Sequence, residues 1–182
     1  MEIKSHVKYG KDGAGEFGGA QQPTPGTYLG RYDEGIDLVK NEDTGSRRIN
    51  IPVAVIEGDN DGKRFFISLF VDGEAWQKDR SFDQLCTIID TADAAGTLTD
   101  YFTKKYAAFD TLFDDAILSN VVDELKLKLT DKIAYFTTDM SKVKVGDETR
   151  EYLRVKKIAP AGKKVSATGS ATGMNNPEAW GK

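Results

Sequence analysis

The sequence predicts a mainly β domain with helices: five strands in a barrel-like sheet, with a helical segment after the third strand. Three observations carry this. Apolar residues recur at every second position in three early segments, the period of a half-buried strand. From Ser81 the period becomes that of a helix. After Leu127 the alternation returns in two further segments.

Residues 1–25 are rich in glycine and glutamine, close on Pro23-Thr24-Pro25, and read as a flexible N-terminal arm. The domain is expected over 26–160. Its first strand, Thr27 to Val39, places Tyr28, Tyr32, Ile36 and Leu38 on one face, with Gly30 and Gly35 as bends or bulges. NEDTGS (41–46) is a hairpin turn. Arg47 to Glu57 directs Ile49, Ile51, Val53 and Val55 one way and Arg48, Asn50, Pro52 and Ala54 the other. Pro52 has no N–H to give a ladder, so it belongs at an edge or a bulge. GDNDG (58–62) turns the chain into KRFFISLFV, where Phe65, Ile67, Leu69 and Val71 are core. Arg64, Phe66, Ser68 and Phe70 lie opposite.

Ser81-Phe82-Asp83-Gln84 fits a capping box, and Phe82, Leu85, Cys86, Ile89 and Ala92 follow at helical spacing until Gly96. A second helical region over 99–127 carries a stripe of Phe102, Tyr106, Phe109, Phe113 and Ile117 and breaks near Asn120. Lys132 to Thr138 and Glu151 to Ile158 close the set of strands, with Leu153 and Val155 inward and Tyr152, Arg154 and Lys156 outward. Residues 161–182 are a small-residue C-terminal tail. This order fits an OB-fold, a partly open five-stranded Greek-key barrel; a generic α+β sheet is the alternative.

Of 182 residues one is cysteine, which excludes an internal disulfide and a thiolate-rich metal site and points to the cytoplasm. No apolar run approaches membrane-spanning length. The formal net charge is −4, yet it is segregated. Between Asp83 and Glu124 nine acids face only Lys104 and Lys105, a net of −7. Between Lys142 and Lys164 eight bases face three acids, a net of +5. Strand parity gathers Arg48, Asn50, Arg64, Phe66, Phe70, Tyr152, Arg154 and Lys156 on one face. Cations interleaved with rings suit single-stranded nucleic acid, because the cations neutralise phosphates and the rings stack on unpaired bases. The competing reading is structural: outer-face phenylalanines covered by a helix, and basic residues that merely guard a strand edge. Phe70, next to the acidic helices, is expected to be the more covered of the two phenylalanines.

Catalytic constellations are not found. His6 lies in the arm, Cys86 falls on the apolar helix face, and GDNDG lacks the length and terminal glutamate of a calcium loop. GKDGAGEFGG follows no strand and lacks the Gly-Lys-Ser/Thr ending of a phosphate loop. No nucleophile, base and orienting group come together, so no enzymatic activity, metal or cofactor is expected.

The order of Pro25-Gly26-Thr27-Tyr28, Thr44-Gly45-Ser46, Glu57-Gly58 through Gly62-Lys63-Arg64, Ala94-Ala95-Gly96 and Val155-Lys156-Lys157-Ile158-Ala159-Pro160 resembles the phage-encoded single-stranded-DNA-binding proteins of replication and recombination modules. The resemblance implies an OB-fold that coats transient single strands without catalysis, in the host cytoplasm. It also implies recruitment of replication or recombination proteins by an acidic C-terminal tail ending in an aromatic. Here the tail departs from that pattern: Pro177-Glu178-Ala179-Trp180-Gly181-Lys182 holds one acid and ends in lysine. The second functional expectation is a protein-interaction or assembly module that binds a partner through a sheet edge or through this tail.

Overall fold

The structure, a computed structural model, describes residues 22–162 apart from 43, 94, 107–111 and 146–147. The arm residues 1–21, with His6, and the tail from 163, with Trp180, lie outside the described residues, as does Phe109.

Six antiparallel strands and three helices follow in the order β1 (Thr27–Tyr32), β2 (Asp37–Lys40), β3 (Arg47–Val55), β4 (Arg64–Phe70), α1 (Ala75–Ala92), α2 (Thr97–Tyr106), α3 (Leu118–Leu129), β5 (Ile133–Val145) and β6 (Glu148–Pro160). The expected first strand is therefore two. Gly35, at φ +95°, lies in the bend between them, a conformation that favours glycine. Gly30 is not a bend. It stays in the ladder between Val55 and Ala134, where a Cβ would sit 2.7 Å from Val53 Cγ1 and 2.9 Å from the Phe136 ring.

On one side of β3 lie β1, opposite Val53–Val55, and β2, opposite Arg47–Asn50; β4 runs along its other side from Ala54 to Arg48. β1 also pairs with β5, and β5 with β6. The sheet is open: β4 and β6 lie at its two ends, β2 pairs only with β3, and no ladder joins β4 to β6 among the described residues. Pro52 sits mid-strand in an unbroken register with β4, at neither an edge nor a bulge. Its carbonyl accepts the Asp33 N–H at 2.9 Å, so its nitrogen faces the same side, at the β1–β2 break where no ladder donor is called for.

The alternation predicts the core well. Tyr32, Ile49, Ile51, Val53, Phe65, Ile67 and Leu69 are buried, and the Phe136 ring stands edge-on to Tyr32 and Phe65 at 5.4 and 5.5 Å between centroids. Burying each such side chain contributes roughly 1.5–3 kcal/mol. Leu85, Ile88 and Ile89 of α1, Phe102 of α2, and Val121 and Leu125 of α3 complete the same core.

Two expectations about the helices are corrected. The first helix starts six residues before Ser81, at Ala75, because Glu74 and Gln77 form the capping box. Ser81 is buried mid-helix, and its hydroxyl accepts the Phe70 N–H at 2.8 Å, tying α1 to the edge of β4. The break in the second helical region comes before Leu118, and Asn120 lies inside α3.

One further irregularity re-aims β6. Thr137 opposes Lys157 but Thr138 opposes Val155, so Lys156 is the extra residue of a β-bulge. Strict alternation would put Ile158 on the same face as Lys156. The bulge instead lets Ile158 and Val155 both face inward, and Ile158 is buried.

Candidate nucleic-acid interface

The open seam between β4 and β6 is a cleft of about 570 Å³, with the first turns of α1 as its third wall. Its floor is apolar, made by Phe65 and Ile67 from β4 and Leu153 and Val155 from β6. Its rims are polar and aromatic. Six of the eight residues singled out from sequence line it: Arg48 from β3; Arg64, Phe66 and Phe70 from β4; Tyr152 and Arg154 from β6.

Cross-strand register explains the first four. Arg48 opposes Phe70 and Ala54 opposes Arg64, with Pro52 and Phe66 paired between them, all on the face away from the core. The ranking of the two phenylalanines is reversed. Phe70 is 39% exposed, while Phe66, set against Pro52, is half-buried. α1 runs past the end of β4 and holds the Phe70 backbone through Ser81 without covering its ring. On β6, Arg154 and Tyr152 oppose Asp139 and Ser141 of β5.

Asn50 does not join the surface. It is 3% exposed, and its Oδ1 accepts the Ser68 hydroxyl at 2.9 Å across the ladder. The outer face of β3 is itself covered from Asn50 to Ala54, so the alternation correctly named the face and misjudged its exposure. Lys156 is exposed but does not line the cleft. It pairs with Asp139, whose carboxyl this ammonium holds below the usual carboxylate range.

Arg64 bonds Asp33 Oδ2 at 2.8 Å. No aspartate or glutamate is among the described residues that line the cleft, in a chain whose net charge is −4. Four arginines line it, the fourth being Arg80 of α1.

Sequence reasoning missed the α1 wall: Trp76, Gln77, Arg80, Ser81 and Gln84. The signal was there. Trp76, Arg80 and Gln84 recur every four residues, which places them on one helix face, but only if the helix begins before Ser81.

No protein-family model matches this chain, and no curated protein matches it. Among the described residues no group of three or more His, Cys, Asp or Glu could hold a metal ion, and no helix is long and apolar enough to cross a membrane.

Proposed function

We propose that the chain is a non-catalytic, sequence-tolerant single-stranded-DNA-binding protein of phage-type replication and recombination, acting in the cytoplasm. One observation carries the reading. A chain of net charge −4 gathers four arginines and strand-borne rings around one cleft that no described acid lines. Arginine neutralises phosphates and exposed rings stack on unpaired bases, a combination that serves single strands of any sequence. A duplex reader would present a helix or ribbon shaped to the major groove; here the rings line a cleft between two strand edges.

The topology supports an OB-like barrel left open at that seam. β1 and β2 together act as one bent strand, giving the order β4, β3, β1/β2, β5, β6, with the helices inserted between β4 and β5. The β5–β6 hairpin runs on past the last residues that β1 supports, as binding loops of OB-folds do.

A second reading has one observation in its favour. The apolar floor between two strand edges also suits an extended segment of a partner protein.

Anisotropy titration of labelled oligothymidine at several salt concentrations separates the two. The expected result is tight binding at low salt that weakens with a negative log–log slope, about −0.7 for each arginine–phosphate contact made. No binding at low salt, or binding without a salt slope, would sink the DNA reading and leave the partner reading.

A further inference from the structure

We infer that α1 is itself a nucleic-acid-binding element, with Trp76 as the main base-stacking platform and Arg80 as the phosphate contact beside it. The inference rests on the single-strand reading above and adds a second wall to a site that strand parity alone places on the sheet.

Trp76 is 63% exposed, the largest side chain among the exposed apolar residues described, yet it stands on an anchored turn. The residues before it are fixed by Arg47, which donates from its backbone N–H and its Nε to Asp72 Oδ2 at 2.8 and 2.9 Å and from Nη2 to Asp72 Oδ1 at 2.7 Å. The first turn is closed by the Glu74 N–H donating to Gln77 Oε1 at 3.2 Å. One turn further on, Ser81 Oγ holds the Phe70 N–H. With the backbone fixed, only the two side-chain torsions of the indole remain to be ordered when a base stacks on it. The strand rings offer less: Phe66 is half-buried against Pro52.

Arg80 follows at i+4 on the same helix face, about 6 Å along the axis. That is the scale of one sugar, the separation between a stacked base and its own phosphate. Trp76 and Arg80 can therefore grip the base and the phosphate of one nucleotide, while Arg48, Arg64 and Arg154 meet the phosphates that follow on the strand side.

Two readouts test the pair. Trp76 and Trp180 are the only tryptophans, so in a Trp180→Phe background emission reports on Trp76 alone. Saturation with oligothymidine should quench it. By anisotropy, Trp76→Ala should weaken binding roughly 5- to 150-fold with the salt slope unchanged, the loss expected for one stacked base. Arg80→Ala should lower the magnitude of the slope by about 0.7, the share of one phosphate. Quenching needs no substitution at Trp76, so it decides even if the alanine variant folds poorly. Wild-type binding with unmoved Trp76 emission, and with both variants within twofold of wild type, would overturn the role of α1 and leave the single-strand reading intact. Absence of wild-type binding at low salt would overturn both.

Discussion

The two strand rims of the cleft present similar chemistry but differ in how they are held. The β4 rim is backed by β3 in unbroken register from Arg64 to Phe70, and β3 is backed in turn by β1 and β2. The β6 rim is backed by β5 alone where it matters. β1 leaves β5 at Thr137, with a last tie from the Thr138 N–H to Gly26 O at 2.7 Å, so Tyr152 and Arg154 sit on a two-stranded ribbon. Two-stranded hairpins are marginal on their own. One rim is thus a preformed surface and the other an adjustable one, and equal side chains on them should not contribute equally to binding.

The largest expected effect erases the difference by removing what both rims stand on. Phe136 is fully buried at the root of β5, against Tyr32 and Phe65. Phe136→Ala should cost about 3–5 kcal/mol in denaturant unfolding. A loss under about 1 kcal/mol would mean that the seam does not depend on this packing.

A smaller effect loosens the firm rim alone. Arg47 joins the start of β3 to Asp72 after β4, and also reaches Asp115 Oδ1 at 2.6 Å. Asp72→Asn should cost about 1–2 kcal/mol near neutral pH, the range of a partly exposed charged hydrogen bond. The hydrogen bonds from Arg47 hold the Asp72 carboxyl below its usual value. Its stabilisation is therefore present above the unfolded pKa of about 3.9 and is lost as pH falls through the lower folded value. Wild type and Asp72→Asn, compared by urea unfolding from pH 6 down to pH 2, should converge below about pH 4. A gap that persists at pH 2 would assign the cost to something other than this carboxylate.

The smallest effect compares the rims directly. Phe70→Ala and Tyr152→Ala each remove a ring that lines the cleft, and both should leave stability within about 0.5 kcal/mol. Phe70→Ala should weaken oligonucleotide binding by several-fold more than Tyr152→Ala, since ordering the ribbon offsets part of what Tyr152 gains. Equal losses by anisotropy would show the ribbon to be as preformed as β4.

These contrasts also mark what the sequence could and could not disclose. Alternation in RRINIPVAV and RFFISLF was legible because one face of each strand is wholly core, and period two follows from backbone geometry. The burial of Asn50 was not, since periodicity distinguishes two faces but says nothing of what covers the second. Trp76 escaped because Ser81 offers a convincing capping pattern, while the true cap uses Glu74, a residue type with weak capping preference. The hydroxyl that suggested a helix start is used instead to satisfy an edge-strand N–H. Phe70 was misjudged for a related reason: adjacency in sequence to acidic helices does not say whether they cross over a side chain or run past it.

The bulge at Lys156 gives β6 the equivalent of a spare tooth in a ratchet. A regular ladder continued from Ile158 would turn Lys156, Arg154 and Tyr152 toward the core and take the basic rim away from the seam. With the bulge kept in place, losing or gaining one residue between Tyr152 and Ile158 would invert every side chain beyond the change. Loss of Lys156 itself would leave Val155 opposite Thr138 and Lys157 opposite Thr137 as they are now, so β6 can shed this residue with Tyr152 and Arg154 still facing the same way. The rim can therefore absorb the loss of one residue by giving up its bulge.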